Sequence, residues 1–600
     1  MVEKKVMLCL LIMVVFLMPL SAVTNEIGEK KMITMKQSEI KYVNQETFTL
    51  QFAEPYIIES NGYLSLEIEG TNARVYHSND SAVPSYTTTL SFPLGTEIID
   101  ISCEIPEIKS MILSEKIVPT PKPLAEGVGN AEYKMDNAIY NSGDFFPDNW
   151  FNYYAGGGID ENNERKTFVT IKVYPARYSP ASNTVHYAKN IDLKIRYRES
   201  KESLPGNGRY DMVIITPSGF SDELQSLVEH KNSHGVSTTL KTTEDIYAEY
   251  DGIDKPEQIK YFIKDAIEQW GIKYVLLVGG IDKLPMRKSA VQCSVFSFEY
   301  VLTDLYYADV YDANGSFCSW DSNGNGKFGE FTWDWSNGDI NYIDFVDLYP
   351  DVGIGRLPCS NNKELQVMID KIITYETQSY GEEWFKRLIL MGGDTFPTVW
   401  EPEGEAVTEY VEQVMADFEP VKLWTSMNNF NPFSINREIS SGAGFVSYSG
   451  HGFEYGIATS PPYKERRIYY LTPYLLGLSN GNKLPVIFFD ACLTASLDFS
   501  VLEMELPCFA WCTMKKTNGG AIAAIGATRM AYGGYAGDPL GGGSCRMNAN
   551  FFDAYESGAT VSQMLIGAQN AYLNDLWKDC LTLEEFNLLG DPSLKIGGYP

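Results

Sequence analysis

Positive charge is scarce in this chain: 48 lysines and arginines stand against 78 aspartates and glutamates, a formal net charge of −30. A surface of that sign repels phosphate backbones and anionic headgroups, so nucleic acid and anionic membrane surfaces are not expected partners, whereas cations are compatible with it. Histidine is rarer still, with five residues in 600. Paired metal-binding cysteines are missing. Only Cys508 and Cys512 lie close together, three residues apart and without a second pair, which removes the usual basis for a structural zinc site. Beyond the N-terminus no long apolar run occurs, so no spanning helix is expected in the body of the chain.

What is present begins with an export signal. Lys4 and Lys5 precede an apolar run from Val6 to Leu20, and the small residues Ser21 and Ala22 follow it. This is the layout of a cleaved signal peptide over residues 1–23; an uncleaved anchor is the alternative, although the run is short for a membrane span. Cys9 lies inside the run, which argues against a lipoprotein site. Nine cysteines follow it. The odd number leaves at least one free thiol in an exported chain, which export otherwise permits to form disulfides.

Residues 24–200 read as all-β. Alternating runs at Thr47–Phe52, Tyr63–Ile68, Thr87–Phe92, Thr167–Tyr174 and Ile191–Tyr197 are separated by Gly, Asn, Pro and Ser, as in a β-sandwich. Residues 201–209 are polar and turn-rich, as a linker open to proteolysis would be. From 210 to 600 apolar strands alternate with helices, among them Tyr274–Gly279, Lys363–Tyr375, Leu388–Gly392, Glu405–Asp417, Gly444–Ser449 and Pro485–Asp490. That alternation predicts an α/β domain with a mostly parallel sheet flanked by helices. In such a sheet the functional crevice lies beyond the carboxyl ends of the strands.

Two strand ends carry chemistry. GFVSYSGHG places His451 in a Gly-His-Gly turn, and PVIFFDAC places Cys492 at the same end of another strand. A thiol needs help to become a nucleophilic thiolate at neutral pH, and a nearby imidazole supplies it by taking and returning a proton. Glycines beside the histidine permit close backbone approach, and backbone amides at Gly452 and Cys492 are candidates for an oxyanion hole. A cysteine after such a strand is also a common inert core residue. The other four histidines, at 77, 186, 230 and 234, do not end central strands.

The chain resembles the gingipain family of caspase-like cysteine peptidases. YDMVIITP, YVLLVGG, DLYPDVGIGRLP, SGAGFVSYSGHG, LPVIFFDACLTA, LPCFAWCTM and LLGDPSL resemble family segments in family order, from Tyr210 to about Ile596. The resemblance implies a caspase-like fold, Cys492 as nucleophile and His451 as its proton-transfer partner. It also implies Asp394 as the acid that orients the imidazole, in place of the family's Glu, and an N-terminal prodomain that covers the cleft until removed. The position that holds an Asp in Arg-selective members aligns with Val407, which gives no support to Arg selectivity; Glu405 and Glu409 lie nearby.

The segment WDSNGNGKFGE starts like a calcium loop, with Asp321, Asn323 and Asn325 on alternate residues and Gly326 at the turn, but its acid, Glu330, comes two positions early. A structural Ca2+ held by Asp321, Asn323, Asn325 and Glu330 is the resulting expectation, an Asn/Gly surface turn the alternative. The functional expectation is a secreted cysteine endopeptidase acting on protein or peptide substrates through a thioester. A sorting transpeptidase of the same fold and an inactive exported adhesive or structural protein are the competing ones.

Overall fold

The continuous apolar runs become the centre of one ten-stranded sheet. Its strands are β1 (Met212–Thr216), β2 (Thr238–Thr242), β3 (Tyr274–Val278), β4 (Gly353–Leu357), β5 (Arg387–Gly392), β6 (Glu419–Trp424), β7 (Phe445–Ser449), β8 (Val486–Asp490), β9 (Ala523–Ala527) and β10 (Phe586–Leu589). The spatial order is β2-β1-β3-β4-β10-β9-β8-β7-β5-β6. Neighbours are parallel except at β9–β10, which pair antiparallel, so two parallel halves meet there with opposite strand directions. Strands buried along their whole length, such as β3, β7 and β8, need cover on both faces. Helices supply it, and they begin and end where the sequence supplies caps. In α1 (Lys255–Trp270) the Asp254 side chain accepts from Glu257 N, and Gly271 closes the helix in the left-handed region at φ 72°. In α2 (Asn362–Gln378) Asn361 accepts from Glu364 N. Three further helices, α3 (Glu403–Val414), α4 (Gly543–Asp553) and α5 (Val561–Leu576), complete the set used below.

This computed structural model describes residues 43–60, 63–75, 81–121, 123–124, 135–200, 208–293, 300–334, 339–397, 402–502, 504–535, 537–576 and 579–600. The expected signal peptide and most of the expected linker lie outside the described residues. Among those described, no helix is long and apolar enough to cross a membrane. The cysteines at 103, 318, 359, 508, 512, 545 and 580 are free thiols.

Before the α/β part the chain forms small antiparallel sheets, as the alternation predicts. Strand Arg165–Val173 lies between Pro84–Pro93 and Phe151–Ile159, and Asn190–Arg198 lies between Asn44–Gln51 and Glu97–Glu104. Their inward residues, including Leu66, Val169, Ile171 and Ile195, make a core of their own. This strand-rich region is seated directly on the α/β part. Phe168 is buried in the larger core, and Ile159 N donates to Pro350 O at 2.8 Å. Gly156 lies so flat on Tyr349 that a Cβ there would come within 2.2 Å of the ring.

Carboxylates are trapped beneath this seat. Asp347 accepts from Gly157 N at 2.8 Å. Asp351 is fully buried; one oxygen accepts from Val310 N and Tyr311 N at 2.8 and 2.7 Å, and the other has no partner among the described residues. Burial pushes the Asp351 carboxyl up from 3.8 to about 8, against the pull of Arg165. An unfolded Asp351 releases its proton near its ordinary value and the folded one near 8, so across that interval the folded state holds the extra proton and stability falls as pH rises. The melting temperature is therefore expected to drop between about pH 4 and pH 8, and Asp351→Asn, which keeps the acceptor and cannot ionise, is expected to flatten that slope. Thermal unfolding monitored across the interval checks it; an unchanged slope in the variant would contradict the assignment.

Candidate active site

Adjacent parallel strands bring the two strand-end residues together. β7 and β8 pair in register, Ser449 opposite Asp490, and each chain then turns out of the sheet, one into His451 and the other into Cys492. The turns touch. A Cβ built on Gly452 would lie 2.1 Å from Cys492 O and 3.0 Å from Cys492 N, so only glycine lets the two backbones approach this far. Leu493, just after the cysteine, sits in the left-handed region at φ 56°, a conformation costly for a branched side chain and found where a turn must present its neighbour. It is held by Leu493 N donating to Arg529 O and Ala495 N to Ala527 O, both at 2.9 Å.

Cys492 and His451 line one cavity, together with Ser449, Asp490, Thr395 and Glu403. Both are largely buried, at 8% and 5% exposure, and the thiol donates to Ala531 O at 3.3 Å. His451 Nε2 lies 2.8 Å from Thr395 O. A carbonyl only accepts, so Nε2 carries the proton and Nδ1 is left as the basic nitrogen of the neutral ring. The Phe396 ring stands edge-on to the imidazole, with centroids 5.8 Å apart at 75°.

The acids are placed differently from expectation. Asp394 is buried beside the site, but its carboxylate accepts from Tyr463 N at 2.6 Å while its own backbone pairs with Ser460. The ring nitrogen is instead held by the carbonyl of the next residue, Thr395; the shorter Asp side chain serves the 460–463 turn. Burial pushes the Asp394 carboxyl up. Asp490 accepts from Ser449 Oγ at 2.6 Å, and burial raises its carboxyl too. Glu405 is turned toward Thr425 and Ser426, accepting at 3.0, 2.8 and 2.6 Å, and Val407 is core. Glu403, which the sequence did not single out, is the helix acid that lines the cavity.

A segment of the N-terminal strand-rich region also reaches this cavity. Leu124 N donates to Gly534 O at 2.9 Å, Gly533 N donates to Leu124 O at 2.6 Å, and Pro123 bridges antiparallel to Tyr535. The Leu124 side chain is 5% exposed and forms part of the wall shared with Cys492 and His451.

The loop expected to hold calcium is a turn with hydrogen bonds of its own. Asp321 accepts from Asn325 N and Gly326 N, both at 2.9 Å, and the Asn323 carbonyl also takes Asn325 N. Glu330 lies on strand Phe328–Asp334 and binds Asn325 Nδ2 at 2.9 Å and Lys327 Nζ at 3.1 Å. Asp344, absent from the motif, takes Ser322 N and Asn323 Nδ2. The early acid thus lies against the turn, bonded to Asn325 and Lys327.

An α/β sheet with a thiol and an imidazole converging at neighbouring strand ends defines the class. Residues 206–597 match the model of Peptidase family C25, and the chain belongs to that family. Gingipain R2 of Porphyromonas gingivalis is 24% identical over 403 residues, 65% of this chain and 46% of that protein. Lys-gingipain HG66 of the same species is 26% identical over 194 residues, 31% of this chain and 10% of that protein. The chain thus spans about half the length, or less, of these curated relatives. Among solved structures, the Arg-specific cysteine proteinase gingipain R shares 22% identity at a TM-score of 0.48, covering 66% of this chain and 79% of that one. A complex of Porphyromonas gingivalis gingipain pro- and mature domains shares 21% at 0.47, covering 64% and 79%.

Proposed function

We propose that this chain is an exported cysteine endopeptidase, made as a precursor, in which Cys492 is the nucleophile and His451 the proton carrier. The observation that carries the proposal is the convergence of both side chains on one cavity, with the Gly452 and Cys492 backbones pressed together beside it. The Cys492 thiol gives its proton to His451 Nδ1, and the sulfur attacks a peptide carbonyl carbon. Amides of Gly452 and Cys492 stabilise the oxyanion. The C–N bond breaks as the imidazolium returns the proton to the leaving amine, and water, deprotonated by His451, then cleaves the thioester and releases the thiol. Thr395, through its carbonyl, holds the ring proton on Nε2, which assigns these transfers to Nδ1.

The N-terminal region acts as the cover. Leu124 lies along the cleft wall, paired by two backbone hydrogen bonds with Gly533 and Gly534, and removal of the region after a cut near residues 201–209 would open the cleft. The export signal rests on the Lys4–Ala22 pattern.

The secreted protein, before and after limited proteolysis, is incubated with a peptide library with and without iodoacetamide. Proteolysed protein is expected to cleave peptides and to lose that activity on alkylation. Cleavage insensitive to alkylation, or none after the linker is cut, would overturn the proposal. An added amine nucleophile that is incorporated at the new carboxyl terminus would convert the assignment from hydrolysis to transpeptidation.

A further inference from the structure

Two contacts on the His451 ring come from consecutive residues: the Thr395 carbonyl on Nε2 and the Phe396 ring on its edge. What fixes those two residues is a third side chain. Thr395 N and Phe396 N both donate to Glu403 Oε2, at 3.1 and 3.4 Å. Glu403 is itself immobilised as the first residue of α3, whose start is pressed on the strand ends: Gly404 N donates to Gly393 O at 3.0 Å, and a Cβ on Gly404 would lie 2.4 Å from Ser449 O.

We infer that Glu403 is the positioning residue of the site, holding the 395–396 turn by its amides so that the turn holds the imidazole of His451. This rests on the peptidase reading for its purpose, though not for its geometry. The carboxyl is 4% exposed, and its second oxygen has no partner among the described residues. Burial pushes it up to about 8, with the Asp394 charge adding to the effect, so at neutral pH it serves as a neutral acceptor. A neutral amide can take the same two backbone donors, which makes Gln the conservative replacement and Ala the disruptive one. Asp394 is bonded to Tyr463 N and interacts with the amide of Phe396, whereas Glu403 takes the amides of both Thr395 and Phe396.

The test uses Glu403→Ala and Glu403→Gln in the full chain, with two readouts. The first is peptide hydrolysis after limited proteolysis. Glu403→Ala is expected to lower kcat by about 10- to 100-fold with KM nearly unchanged, the cost of a misplaced catalytic group, and Glu403→Gln to recover most of it. The second is the ring-nitrogen NMR signature of 15N-labelled histidine, with His451 assigned by its loss in His451→Ala. The Nε2–H tautomer is expected in the parent and in Glu403→Gln, and a tautomer mixture in Glu403→Ala. An unchanged kcat and tautomer in Glu403→Ala, a loss as large in Glu403→Gln, or a loss confined to KM would overturn the inference. If the parent itself fails to hydrolyse, the peptidase reading falls, and the tautomer signature still decides what Glu403 positions.

Discussion

Replacing Cys492 with Ala is expected to reduce peptide hydrolysis by at least about 10⁴-fold while the folded chain and its substrate binding survive, because losing a nucleophile removes the covalent route altogether. The substitution is mild for the structure. The side chain loses its sulfur, which donates to Ala531 O, and the turn that presents it is held by backbone bonds of Leu493 and Ala495 that do not involve the thiol. A far-ultraviolet spectrum and melting temperature close to the parent's should therefore accompany the loss. His451→Ala should cost nearly as much, and the double variant no more than either, since residues of one proton-transfer unit do not act additively. Retention of substantial hydrolysis by Cys492→Ala would refute the assignment of the nucleophile. Loss accompanied by unfolding would instead mark Cys492 as a core residue.

Which parts of this site were legible in the sequence follows from where each group's information is stored. Cys492 and His451 announce themselves because continuous apolar strands end in them, and strand ends in a parallel sheet converge. The sheet's antiparallel seam at β9–β10 was not legible, since strand direction depends on the path of the intervening chain. The group that holds the imidazole is a backbone carbonyl, which any residue possesses, so nothing in the identity of Thr395 could announce it; the family resemblance points to the preceding residue, Asp394, instead. Glu403 was hidden for a related reason. It lies outside the predicted helix start at Glu405, and three acids within seven residues, Glu403, Glu405 and Glu409, read alike until the helix is docked. The Asp321 loop shows the converse. Its local pattern announces a turn rich in oxygen atoms, but hydrogen-bond partners of that turn, including Asp344, lie in a segment that the pattern does not contain.

Leu124 was the least legible of all, because its meaning lies in a pairing with Gly533 and Gly534 about 400 residues away. It also yields the second large expected effect. In the intact chain Cys492 should react slowly with iodoacetamide, since the thiol is 8% exposed and the Leu124 segment forms one wall of its cavity. Leu124→Asp asks a charged carboxylate to occupy an apolar, nearly closed position, at a cost of several kcal/mol unless the segment lifts away. Two backbone hydrogen bonds and one adjoining bridge tie Pro123 and Leu124 to the 533–535 segment, and each such bond is worth about 1 kcal/mol net in water. Lifting is therefore the less costly outcome, and the main seat of the strand-rich region on Tyr349 and Pro350 is left in place. Alkylation of Cys492, followed by mass spectrometry, should accelerate by about 10- to 100-fold in Leu124→Asp, since the opening equilibrium shifts tenfold for every 1.4 kcal/mol. Leu124→Met, which preserves apolar volume, should react at the parental rate. Equal rates in all three chains would show that the segment is not what limits access to the thiol, and that the cover must be sought elsewhere in the strand-rich region.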